Sequence, residues 1–185
     1  MKRLKCLLLL GLVVSCSGCA TWAVLNGEQA EFKDVGFRAD MPEGWMGYIP
    51  AYGFMATRDG YSLNHISVKK IKFLQRLAHT KKRFQTGMLL PEILEVELDS
   101  IRSNKEVSYI NITKNEPMTI DGQESYRLEY EYEEKNGLKV KVIQCGFVHN
   151  DFVYRIVFKA AKLHYYDDTV ADFEKFLDSF ELLKK

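Results

Sequence analysis

Apolar and polar residues alternate without exception from Ser125 to Glu133, with Tyr126, Leu128, Tyr130 and Tyr132 on one face and Arg127, Glu129, Glu131 and Glu133 on the other. A period of two predicts a strand with one face in a core and one in water, the usual state of an antiparallel sheet. Asn136-Gly137 then turns the chain into a second apolar stretch, Leu138 to Val148. Two loop lengths compete for this hairpin. A two-residue loop sets Glu131 opposite Val142. A three-residue loop, Lys135 to Gly137, sets Glu133 opposite Lys139, Glu131 opposite Lys141, Tyr132 opposite Val140 and Tyr130 opposite Val142. Opposed charges and matched apolar pairs each favour the second register by roughly 0.2–1 kcal/mol per pair, so the three-residue loop is the expectation.

The same reading extends to both sides. Val35 to Met41 forms a short strand closed by Pro42-Glu43-Gly44-Trp45, where proline and glycine reverse the chain and leave Trp45 to pack. Phe54 to Arg58 and Tyr61 to Phe73 read as strands around a tight Asp59-Gly60 turn. Phe73, Leu77 and Phe84 fit one face of a helix over 73–86, ended by Gly87. Pro91 suits a helix start, and Ile93, Leu94, Leu98 and Ile101 follow at helical spacing. Strands are predicted at Val107 to Thr113 and Met118 to Ile120, with a turn at Asp121-Gly122. Asn150-Asp151 turns into Phe152 to Ala160, whose core stripe is Phe152, Tyr154, Ile156 and Phe158. Finally, Asp167 or Asp168 caps a helix with an apolar face of Val170, Phe173, Phe176, Leu177 and Phe180. The class is α+β: a central antiparallel sheet with helices packed on its faces.

The first residues break this pattern. Lys2, Arg3 and Lys5 precede the apolar run Cys6 to Val14, which is too short to remain as a membrane-spanning helix and has the form of an export signal. The stretch after it resembles the lipobox of bacterial lipoproteins, in which small residues precede a cysteine that is acylated and becomes the mature N-terminus. Val13-Val14-Ser15-Cys16 and Ser17-Gly18-Cys19 both fit, so Cys16 or Cys19 is the lipidated residue. The resemblance implies a signal within residues 1–18, a short tether over 19–30, and one domain over 31–185. It also implies a lipid-held protein of the cell envelope. Neither cysteine is followed by aspartate, which by the same likeness favours the outer membrane, facing the periplasm.

Cleavage leaves about 165 residues, enough for one domain with a real core. The formal charge of the whole chain is +1, and loss of the leader makes it about −2. That near-balance conceals a segment from Gly60 to Pro91 without any acid, which holds Lys69, Lys70, Lys72, Arg76, Lys81, Lys82 and Arg83. Such a run is either a solvated face or a contact for something anionic: lipid headgroups, an envelope polymer or an acidic protein. Nucleic acid is disfavoured by the export signal and by the acidic remainder of the chain. The aromatic loop Tyr48, Tyr52 and Phe54, around Pro50 and Gly53, is a second candidate surface or a plug over one end of the core.

The order of elements resembles the PsbP-like fold: a strand closed by Pro-Glu-Gly-Trp, a hairpin, the helix from Pro91, antiparallel strands including Ile120-Asp121-Gly122, and a last helix ending Leu177-Asp178-Ser179-Phe180. The resemblance implies a sheet with helices on its two faces and an accessory or docking role without a shared enzymatic activity. No set of functional residues is carried over by it.

Enzyme chemistry finds little support. There is no Gly-x-Ser-x-Gly elbow and no phosphate-cradling glycine loop. Cys145 has no sequence partner and is expected to be a buried small hydrophobe. His164 with Asp167 and Asp168 is the nearest approach to a metal-ligand spacing, and a helix start explains those aspartates better. His149 falls in a tight turn and is expected in solvent. No catalytic residue, metal or cofactor is assigned.

Overall fold

A computed structural model of the chain describes residues 22–50 and 53–184. The elements run β1 (Ala23–Val24), β2 (Gln29–Phe32), β3 (Phe37–Asp40), β4 (Met46–Tyr48), β5 (Gly53–Thr57), β6 (Asn64–Lys72), α1 (Leu90–Arg102), β7 (Val107–Ile120), β8 (Gln123–Glu134), β9 (Lys139–His149), β10 (Phe152–Ala161), α2 (Tyr165–Asp178) and β11 (Glu181–Leu182). Eight strands form one antiparallel sheet in the order β1-β4-β5-β6-β10-β9-β8-β7, and β11-β3-β2 form a smaller one.

Strand alternation feeds two cores, one on each face of the main sheet. On β9, Val140 and Val142 face one way, while Ile143, Cys145 and Phe147 face the other. The first core is closed by α1 through Ile93, Val96 and Leu98. The second is closed by α2 and the small sheet, where Phe32, Phe37, Phe54, Phe147, Phe176 and Phe180 pack as stacked or edge-on rings. Tyr154, Ile156 and Phe158 lie in this second core as the sequence pattern requires, with Phe152 packed at its margin. Trp45 is wholly enclosed, and its indole Nε1 donates to Asp172 Oδ2 on α2 at 3.0 Å. The Pro-Glu-Gly-Trp turn is thereby fastened to the last helix.

The β8–β9 hairpin has the three-residue register, pairing Glu133 with Lys139, Glu131 with Lys141, Tyr132 with Val140 and Tyr130 with Val142. Gly137 takes φ 84°, and its amide donates to Glu134 O. This left-handed position is the reason for glycine there.

Other expectations are corrected. The 73–86 segment is not a helix: it is a loop with left-handed residues at Leu74 (φ 67°) and His79 (φ 60°), which a helix does not accommodate. The two strands predicted at Val107 to Thr113 and Met118 to Ile120 are one, β7, and Pro117 sits within it. Proline is tolerated because β7 is the sheet's edge, so no outer neighbour needs its missing N–H. The Asp59-Gly60 turn is wider than expected, and β6 begins at Asn64. The Asn64 side chain closes the turn, accepting from the Arg58 and Asp59 amides and donating to Asp59 Oδ2.

Helix α2 starts at Tyr165, so neither Asp167 nor Asp168 is its cap; both lie in its first turn, where they favour the positive end of the dipole. Phe180 lies beyond the helix end and fills the core from there. Within residues 19–30, read from sequence as a tether, Ala23–Val24 and the start of β2 are paired strand.

Candidate functional site

The seven cations of the acid-free segment divide into two groups. Lys69, Lys70 and Lys72 lie at the end of β6, where alternate side chains take opposite faces. Lys69 falls on the α1 side, paired in register with Arg155 of β10; partial desolvation and then that like charge lower its pKa. Lys70 turns to the α2 side, with Nζ 4.5 Å from the centre of the Phe152 ring and 5.7 Å from that of Tyr154. Lys72 is exposed at the strand end.

Arg76, Lys81, Lys82 and Arg83 stand on the 73–89 loop, all exposed. The loop is anchored rather than free. Leu77 and Phe84 insert into the α1-side core, and the Leu74 amide donates to Phe84 O at 2.9 Å. Thr80 Oγ1 donates to Asp99 of α1, while Ser100 Oγ donates to Ala78 O at 2.7 Å. Lys82 Nζ lies 3.1 Å from Asp99 Oδ1. The hydrogen bond from Thr80, followed by that from Lys82, holds the Asp99 carboxyl below its ordinary pKa. The loop's polar groups are thus met by side chains of α1 rather than by a helical ladder.

Clasped in this way, the loop and α1 enclose an open cleft of about 520 Å³ lined by Lys81, Lys82, Arg83, Gln85, Met88 and Val96. Its rim is three consecutive cations, and Met88 and Val96 supply an apolar floor. The arrangement suits a ligand with anionic groups and a short apolar segment.

Beneath α1 lies a pair that sequence reading missed. Glu97, 1% exposed, faces Arg155 with contacts of 2.7–2.9 Å, including both guanidinium Nε and Nη2. Burial opposes the Arg155 charge, and Glu97 outweighs it, so the guanidinium pKa is raised. Tyr126 is buried nearby and accepts from Gln144 Nε2 at 3.1 Å. On the other face Arg127 makes a two-point contact with Glu174 of α2 at 2.6 and 3.0 Å. Each helix is therefore clamped to the sheet by one arginine–glutamate pair. The sequence signal was available only in part: Glu97 sits on the apolar side of a helix, where a charge demands a partner.

The other candidate groups sit apart from the cleft. Cys145 is fully buried in the α2-side core, which pushes its thiol up to about 12. His65 is buried in β6, its ring stacked on Tyr61 at 4.3 Å and its Nδ1 3.0 Å from Tyr61 O. Burial lowers it to about 4. His164 and the two aspartates of α2 hold no shared centre; among the described residues no three His, Cys, Asp or Glu converge in a way that holds a metal. His149 ends β9 half-buried, against Gln123 and the Tyr154 ring. Of the aromatic loop, Phe54 is core, Tyr48 is half-buried and Tyr52 lies outside the described residues. Cys16 and Cys19 also lie outside them. No described helix is long and apolar enough to cross a membrane.

A large antiparallel sheet with one helix on each face and a small sheet beside α2 is the PsbP-like α/β fold. Solved structures share it along most of the chain. PsbP of the cyanobacterium Synechocystis sp. PCC 6803 is 15% identical, with a TM-score of 0.58 over 92% of this chain and 98% of that one. The Ran-binding protein Mog1p of Saccharomyces cerevisiae is 9% identical, with a TM-score of 0.57 over 86% of this chain and 97% of that one. A Bacteroides thetaiotaomicron protein is 11% identical at a TM-score of 0.53, over 87% of this chain and 50% of that one. At such identities the likeness is one of fold. No protein-family model matches the sequence, and no curated protein matches it.

Proposed function

We propose that the protein is a lipid-anchored, non-enzymatic docking domain of the cell envelope, and that the cleft between the 73–89 loop and α1 is where an anionic partner binds. The observation that carries this reading is the cationic rim: Lys81, Lys82 and Arg83 are exposed in succession on a loop fixed in place by Thr80, Ser100 and two buried apolar side chains. A fixed loop loses less entropy on binding than a mobile one. Arg76 extends the positive field, and the anchor on Cys16 or Cys19 raises the local concentration of anything else held at the same membrane. Placement at the outer membrane, facing the periplasm, rests on the lipobox likeness.

The fold favours docking over catalysis. One member of it is named as Ran-binding, and both faces of the sheet are given over to packed cores. The partner is expected to be a protein segment bearing carboxylates beside an apolar side chain, which matches the rim and the Met88–Val96 floor. Crosslinking in living cells, comparing the native chain with Lys81→Glu/Lys82→Glu/Arg83→Glu, tests the site. Loss of a captured protein on charge reversal supports it, and equal capture by both chains refutes it. Incorporation of labelled fatty acid, lost in Cys16→Ser or in Cys19→Ser, tests the anchor separately.

A further inference from the structure

The end of the main sheet at which the described chain begins is unusually apolar for a surface. Trp22, Val24 and Ile49 are 41%, 69% and 61% exposed. Strand β1 pairs with β4, Ala23 opposite Gly47 and Val24 opposite Met46, and the Trp22 ring lies 5.4 Å from that of Tyr48. Beside them runs a groove of about 310 Å³ whose lining is entirely apolar or aromatic, from Ala23 and Leu25 to Ile49 and Phe54. Phe32 and Phe54 line it, so the groove lies at the margin of the core that α2 and the small sheet cover. Charges of both signs lie nearby: Lys69 pairs in register with Gly53, and exposed Glu31, Lys33 and Asp34 flank the groove-lining Phe32. Glu43 precedes β4 and lies at its other end.

We propose that this corner, centred on Trp22, Val24, Tyr48 and Ile49, is the face on which the domain lies in the headgroup region of a phospholipid bilayer. The proposal rests on the lipid-anchor reading and adds an orientation to it. Covalent reach makes the argument quantitative. Trp22 follows Cys19 by three residues and Cys16 by six, and a chain spans at most roughly 3.3–3.6 Å per residue. Acylation of Cys19 therefore holds Trp22 within about 11 Å of the anchored cysteine, and acylation of Cys16 within about 22 Å. Residues so close to lipid are in a layer where tryptophan and tyrosine are enriched and where lysine ammonium groups meet phosphates. An apolar corner there also adds a second attachment to the acyl chains, which is how lipidated proteins reach firm binding.

The full-length processed protein contains two tryptophans once the leader is gone, Trp22 and the enclosed Trp45. It is reconstituted into vesicles of phosphatidylethanolamine and phosphatidylglycerol carrying lipids brominated near the carbonyl end of their acyl chains. Bromine quenches only nearby indoles, so Trp45 serves as the unquenched reference. The expected result is loss of the Trp22 share of emission, abolished in Trp22→Phe and much reduced in Ile49→Glu while both variants remain vesicle-bound. An acylated, vesicle-bound native protein whose emission bromine leaves unchanged overturns the orientation and leaves the anchor standing. Absence of fatty-acid label from the native chain overturns both.

Discussion

Replacing Glu97 by glutamine leaves Arg155 beneath α1 with its charge and without its counter-ion. Breaking an enclosed ion pair from one side costs roughly 3–5 kcal/mol, because the remaining charge has neither water nor partner. Here the Glu97 side chain is 2% exposed and that of Arg155 is 19% exposed, so some solvent reaches the guanidinium and the cost falls to about 2–4 kcal/mol. Against a total stability of about 5–15 kcal/mol this is a large fraction. For a domain of this size it corresponds to a fall in Tm on the order of 10 °C.

Replacing both partners, Glu97→Leu with Arg155→Met, removes the charge together with its need and is expected to recover most of the loss. Urea unfolding followed by both far-ultraviolet circular dichroism and tryptophan emission in a Trp22→Phe background provides the measurement, since Trp45 then reports the opposite core alone. A Glu97→Gln loss under about 1 kcal/mol, or a double variant no better than the single one, refutes the claim that enclosure of this pair controls how α1 is held.

Three further outcomes concern the buried groups. His65 is neutral in the folded chain, with its pKa lowered to about 4 chiefly by burial. The unfolded chain takes up the proton first as pH drops below about 6.5, so its contribution is complete above that value and is lost as pH falls toward 4. The span amounts to about 3 kcal/mol, and His65→Gln should flatten the dependence of urea midpoint on pH across that window. A Cβ on Gly146 would lie 2.5 Å from Tyr126 Oη and 2.6 Å from Cζ, so Gly146→Ala is expected to cost about 1–3 kcal/mol by overpacking, read as a lowered Tm. The Cys145 thiol, enclosed and raised to about 12, should resist iodoacetamide in the native protein and react readily in urea; rapid native labelling, measured by mass spectrometry, would contradict the packing.

The hairpin of β8 and β9 was readable from sequence because its information is local: charge and side-chain shape fix the register residue by residue across one short turn. The core stripe of β10 was readable from alternation along the strand, whereas the second apolar face of β9, with Ile143, Cys145 and Phe147, was not separated from the first. The 73–89 loop was not, since what shapes it is remote in sequence: Asp99 receives Thr80, Ser100 reaches Ala78, and the left-handed backbone at Leu74 and His79 carries no glycine to announce it. Pro117 read as an interruption because sequence alone does not say which strand is outermost. At Asp59-Gly60 the signal for a tight turn was correct in kind, and the Asn64 amide lengthened it.

The basic run was visible at once, yet its division was not. Adjacent lysines on a strand point oppositely, so Lys69 and Lys70 part company, while Lys81, Lys82 and Arg83 of the loop share a cleft. Trp22 and Ile49 gave no periodic signal, and their significance lies in where β1 returns to the sheet.

The long outer strand β7 departs from regular pairing between Ser108 and Asn111 and again between Ile112 and Lys114, and it carries Pro117. A straight ladder of that length would invite neighbouring chains to zip together into ribbons. Those irregularities deny a second molecule a continuous run of matching amides. The sheet therefore stops at β7, whose outer edge is a poor template for a further strand.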